Sequence, residues 1–135
     1  MKHLFVTYEI ALKLKEKGFD DPCIMHYMIE DSTFEMGSPK VINLKTLVNS
    51  QGIETGIKPS EVEFNLCAPT YQQVVDWLRE TYKLHIKIDR NYDGWTWFII
   101  NFRNGNQHVL GTGNDEFEEY YTALQKAIEG SIKLI

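Results

Sequence analysis

Two cysteines, Cys23 and Cys67, are all that the 135 residues contain, and neither stands in a C-x-x-C or Cys/His spacing of the kind that closes a zinc site. A metal-stapled fold is therefore excluded as the first reading, and two reduced thiols in a cytoplasmic protein are expected. Long apolar runs are absent as well, since nothing approaches the roughly 20 consecutive apolar residues a membrane helix needs. The apolar opening Leu4-Phe5-Val6 breaks at Glu9 and at the lysines from Lys13, without a small-residue cleavage site, which argues against a secretory leader. Positive charge is in deficit: 14 Lys and Arg face 19 Asp and Glu, a formal net charge of -5. That field repels phosphate backbones, so nucleic-acid binding is disfavoured. The densest cationic group, Lys13, Lys15 and Lys17, is diluted by Glu16 on what reads as a helix surface. Internal repeats and low-complexity segments are lacking too.

Aromatic residues, by contrast, are plentiful at 13%, while the hydrophobic share of 43% and the charged share of 24% are ordinary for a folded chain, so disorder is not expected. A chain of this length removes roughly two-thirds of its unfolded surface from water on folding, so a single domain over 1–135 is the expectation.

The element pattern predicts an α+β protein. Thr7 can cap a first helix whose apolar side is Tyr8, Ile10, Ala11, Leu12 and Leu14, closed by Gly18 with Phe19 just beyond. Asp20-Asp21-Pro22 stops it, and residues 23–30 read as a strand with Cys23, Met25, Tyr27 and Ile29 opposite Ile24, His26 and Met28. Residues 31–60, punctuated by Gly37, Pro39, Gly52, Gly56 and Pro59, predict loops with one or two short elements. Val62, Phe64 and Leu66 alternate as a strand, although Ser60-Glu61-Val62-Glu63 also fits a helical capping box.

The clearest start signal is Thr70 with Gln73, a capping box that opens a helix whose stripe is Tyr71, Val74, Val75, Leu78 and Tyr82, with Trp77 at its edge. Leu84, Ile86 and Ile88 then alternate with His85, Lys87 and Asp89 as a half-buried strand. Asn91-Tyr92-Asp93-Gly94 is turn chemistry, and 95–102 follow as the second strand of a hairpin. Arg103-Asn104-Gly105-Asn106 offers a second tight turn into a short strand at 107–110. Asp115 with Glu118 predicts the cap of a last helix with Phe117, Tyr120, Tyr121, Leu124, Ile128, Ile132 and Ile135 along its stripe. The result is an antiparallel sheet with helices packed on one face.

Candidate chemistry is sparse. Asp89 to Gly94 matches the first half of a calcium loop, but the twelfth position, where a bidentate carboxylate belongs, is Ile100, and strands flank it. A hairpin turn is the better reading. Gly111-Thr112-Gly113-Asn114 lacks the Lys-Ser/Thr ending of a phosphate loop. Asp76 and Glu80 sit beside Arg79 and Lys83 on a wet helix face, where surface ion pairing explains them. Cys67, with His3, His26, His85 or His108 available as a base, is the better nucleophile candidate of the two thiols, though a free cysteine is by default a small buried hydrophobe. No catalytic residue, cofactor or metal ligand is assigned.

The strand alternation raises one further point. If Leu84, Ile86, Ile88, Phe98, Ile100 and Phe102 face the helices, the other face carries Trp95 and Trp97 beside His85 and Lys87, a composition suited to recognition. Either those four form a binding face or another part of the chain covers them.

The motifs Ala68-Pro-Thr-x₆-Trp77-Leu-Arg-Glu80 and Tyr120-x-x-Ala123-x-x-x-Ala127-Ile128, with the opening Phe5-Val6-Thr7-Tyr8-Glu9-Ile10-Ala11 and Gly18-Phe19-Asp20-Asp21-Pro22-Cys23, give the chain a resemblance to a family of short, uncharacterised bacterial proteins that look like prophage or mobile-element cargo. Gly130 departs from the family, which usually has a helix former there. The resemblance implies a fold and a genomic context but no activity. Together these readings predict a non-enzymatic accessory protein that acts by protein–protein interaction, with a homodimer as one form. The alternative is a small enzyme or small-molecule binder with a pocket between the sheet and loop 31–60.

Overall fold

A computed structural model of the chain describes residues 4–29, 42–46, 66–113 and 117–135. The chain divides into two compact units, Met1–Thr70 and Tyr71–Ile135, and both are mixed α+β.

In the first unit Thr7, extended at φ -69 and ψ 163, accepts a hydrogen bond from the Ile10 amide at 3.4 Å and opens α1, Tyr8–Glu16. The helix buries Ile10, Ala11 and Leu14, whereas Leu12 is exposed and drops out of the expected stripe. Its end is a Schellman motif: Gly18 takes φ +88, its amide bonds Lys15 O at 3.2 Å, and the Phe19 amide bonds Leu14 O at 3.0 Å. Phe19 is buried, making the apolar contact this cap favours.

The sheet of this unit has the order β2-β1-β3, with β1 at Met25–Ile29, β2 at Ile42–Thr46 and β3 at Leu66–Cys67. Both pairings are antiparallel, and β3 places Cys67 opposite His26 and Leu66 opposite Tyr27. Tyr27 ties the opening segment down by donating its hydroxyl to Val6 O at 2.6 Å, while the Val6 amide bonds Pro69 O at 3.0 Å. Apart from 42–46, the elements expected over 31–60 lie outside the described residues, as do Val62, Phe64 and the alternative capping box at 60–63.

The second unit opens with α2, Tyr71–Tyr82, directly after Thr70. It buries Tyr71, Val74, Trp77 and Leu78, so Trp77 is a core residue and Tyr82 is the one that reaches the surface. The antiparallel sheet β4-β5-β6 follows, with β4 at His85–Arg90, β5 at Trp95–Arg103 and β6 at Asn106–Thr112. In the first turn the Asn91 side-chain oxygen accepts from the amides of Asp93 at 3.0 Å and Gly94 at 2.9 Å. The second is a two-residue turn with Asn104 at φ 52 and Gly105 at φ 76, the primed geometry whose twist matches its strands.

The last helix, α3, runs Tyr120–Lys133 and begins later than the capping pair predicts: Glu119 is its N-cap and makes no side-chain cap bond. Phe117 instead pairs with Trp95 through two backbone hydrogen bonds of 2.8 and 2.9 Å, which keeps the chain extended there. Asp115 is outside the described residues. Gly130 does not end the helix, which buries Ala123, Leu124, Ala127, Ile128, Ser131 and Ile132. The antiparallel sheet thus carries the helices on one face.

Candidate functional site

Register decides which residues can form a site. Because Ile86 lies opposite Ile99, Ile88 opposite Trp97 and Arg90 opposite Trp95, these six share one face. That face lies under α3: a Cβ on Gly130 would stand 3.1 Å from Ile99 Cδ1 and 3.3 Å from Trp97 Cη2, and Trp95 meets Tyr120 edge to face at 5.2 Å. Trp95 and Trp97 are half-buried helix-side residues. His85 and Lys87, paired with Ile100 and Phe98, occupy the opposite face. The expected four-residue patch is therefore split. Each strand's alternation is as the sequence implies, but the relative phase of two strands is set by the turn between them, and a one-residue difference exchanges faces.

On that opposite face His85 packs edge-on against Phe102 at 5.2 Å, and Lys87 lies 3.3 Å from Asp89. Phe102 is 56% exposed and Val109, opposite Ile100, is 55% exposed. On the α3 side a concavity of about 460 Å³ opens beside Trp97, Phe117 and Gly113, with Lys126, Glu129 and Lys133 around it. Lys126 is paired with Glu129 at 3.4 Å.

The first unit contains the one cluster among the described residues that brings chemically reactive side chains together. Cys67 Sγ lies 3.3 Å from His26 Nδ1, and the Cys23 thiol donates to Asp21 O at 3.4 Å. Cys23 and His26 are fully buried and Cys67 is 4% exposed. His26 Nε2 sits 3.0 Å from the carbonyl oxygen of Cys23, an atom that can only accept. This contact makes Nε2 the N–H nitrogen of the neutral ring and turns Nδ1, the basic nitrogen, toward Cys67.

The electrostatics follow. The Cys67 thiol is lowered from 9.0 to about 6, first by the hydrogen bond from Cys23 and then by His26, against the opposing effect of burial. Cys23 is pushed well above its ordinary value by the same hydrogen bond, by burial and by the charge on Cys67. One thiol thus holds its proton while the other gives its proton up. A recess of about 10 Å³ is lined by Ala11, Leu14, Lys15, Phe19, Leu66 and Cys67.

Sequence reasoning singled out Cys67 but could not choose its base. His26 was legible only as a polar residue inside an apolar strand, and the pairing that joins it to Cys67 spans 41 residues. His3 lies outside the described residues, while His85 and His108 lie on the sheet of the other unit. Asp76 pairs with Arg79 at 2.7 Å and accepts from Gln72 at 2.9 Å on an open helix face, as surface charges do. Among the described residues no group of three His, Cys, Asp or Glu is placed to hold a metal ion, and no helix is long and apolar enough to cross a membrane.

Fold and cluster together define an α+β protein with a buried Cys-His-Cys constellation. No protein-family model, curated protein or solved structure matches the chain.

Proposed function

We propose that the protein is a non-enzymatic accessory module of the cytoplasm that acts by contact with another protein, a second copy of itself included, through the outer face of the β4-β5-β6 sheet. The observation that supports this is the exposure of Phe102 and Val109, each more than half open, on the face that also carries His85 and Lys87. Apolar side chains grouped beside a cation are a common composition for a contact surface, and β6 is the edge strand of its sheet among the described residues. The role of Trp95 and Trp97 in this reading is to brace the sheet against α3 from behind. The resemblance to prophage-associated proteins fits an accessory role.

The test is a pull-down from the native host together with sedimentation of the purified protein, using wild type and a Phe102→Asp/Val109→Asp variant. A stoichiometric partner or dimer that the variant loses while keeping its circular dichroism supports the reading. A complex that survives both substitutions refutes it.

A second reading, a small enzyme with a thiol nucleophile, is favoured by the Cys67–His26 contact of 3.3 Å. The pocket expected beside loop 31–60 lies outside the described residues, so this reading now rests on the thiol.

A further inference from the structure

We infer that Cys67 and Cys23 form a dithiol that a small peroxide converts to a disulfide, with Cys67 as the attacking sulfur, Cys23 as the resolving one and His26 as a positioning residue. The inference stands in the first unit and does not depend on the sheet surface of the second. Two features of geometry carry it, and the electrostatics of the pair support it. Cys23 and Cys67 belong to one buried cluster, and each is the largest influence on the other's protonation. The Cys23 carbonyl fixes the His26 ring with Nδ1 toward Cys67 Sγ at 3.3 Å, where it orients the sulfur. The recess against Cys67, at about 10 Å³, is on the scale of a single water molecule. It is too small for glutathione disulfide or another bulky oxidant, which leaves a peroxide of the smallest size as the oxidant.

The chemistry balances without a metal or cofactor. The Cys67 thiolate attacks one oxygen of hydrogen peroxide; the S–O bond forms, the O–O bond breaks, and the departing hydroxide takes a proton from solvent, replacing the one the thiol released on ionising, to leave as water. Cys67 is then a sulfenic acid. The Cys23 sulfur attacks it, the S–S bond forms, the S–O bond breaks, and hydroxide leaves with the Cys23 proton as a second water. Two thiols and one peroxide give one disulfide and two waters. The raised proton affinity of Cys23 suits its part, because it stays a thiol and hydrogen-bond donor until the sulfenic acid appears.

The experiment follows loss of free thiol in the full chain exposed to hydrogen peroxide at neutral pH, with non-reducing peptide mass spectrometry of the product. The expected product is a Cys23–Cys67 linked peptide, formed roughly tenfold or more faster than free cysteine is oxidised, since the thiolate is the reacting form. The acceleration disappears when the same wild-type protein is unfolded in urea, a comparison that does not rely on any variant folding. Cys23→Ser accumulates a Cys67 sulfenic acid trapped by dimedone, and His26→Asn shifts the pH profile of the reaction upward. Oxidation no faster in the folded than in the unfolded chain, or a product without the intramolecular link, overturns the inference.

Discussion

Gly113 lies against the edge of the Trp97 indole, so close that a Cβ at this position would overlap the ring's Nε1 and Cδ1 atoms. The Gly113 amide also bonds Trp97 O at 3.0 Å, which pins the two backbones at that separation. The indole cannot swing away cheaply, because Gly130 of α3 borders its other end. Gly113→Ala is therefore expected to cost about 1–3 kcal/mol by overpacking. Urea midpoints give the cost, and a shifted tryptophan emission with unchanged helix content would locate it at Trp97. A variant as stable as wild type would contradict this packing.

The assignment of faces predicts an asymmetry within a single strand. Ile99 is 1% exposed beneath α3, whereas Phe102, three residues on, is 56% exposed. Ile99→Ala should destabilise by about 2–5 kcal/mol, the range for emptying a packed aliphatic site. Phe102→Ala should cost under about 1 kcal/mol, since little of its surface leaves water on folding. The face assignment expected from the alternating pattern alone requires the reverse order, so thermal denaturation of the two variants separates the alternatives.

This pair also marks how far the sequence could be read. Elements written in local signals were legible: Thr7 and Gly18 bracket α1, Thr70 precedes α2 directly, and Asn104-Gly105 closes a primed turn. Relations between elements were not. The phase of β5 against β4 depends on how the 91–94 turn is spent, and the meeting of Cys67 with His26 depends on a strand pairing across the intervening chain. The start of α3 differs from its local signal for a related reason: the Trp95–Phe117 bridge competes with helix formation, and the folded sheet offers that partner.

Lys83 supplies a prediction from backbone geometry. It sits at φ 59 just past the end of α2, where the Leu84 amide reaches back to Leu78 O at 3.2 Å. A left-handed conformation costs a residue with a Cβ about 1 kcal/mol that glycine does not incur. The Lys83 ammonium recovers little, because its bond to Glu80 O at 3.0 Å is exposed. Lys83→Gly is expected to raise stability by roughly 0.5–1 kcal/mol, after allowing for glycine's greater freedom in the unfolded chain. A lower urea midpoint would show that the ammonium contact outweighs the conformational cost.

The thiol pair makes stability depend on pH in two opposite directions. Cys67 titrates at about 6 in the folded chain and at 9.0 when unperturbed, so between those values the folded state holds a thiolate and the unfolded state a thiol. Unfolding then takes up a proton, and by linkage the fold gains stability as pH rises through this window and loses it as pH falls toward 6. Below that value both states are protonated and the contribution is gone. Cys23 acts in the other direction: its proton is held above the ordinary 9.0, so beyond that pH the unfolded chain has released a proton that the folded one keeps, and stability declines again. The gain across the neutral window is on the order of 1 kcal/mol per pH unit at most. Urea midpoints of wild type and Cys67→Ala, measured at intervals from about pH 6 to about pH 9, should diverge steadily as pH rises. A constant offset between the two curves would mean that Cys67 is an ordinary neutral thiol in the core, and that the peroxide chemistry assigned to it lacks its nucleophile.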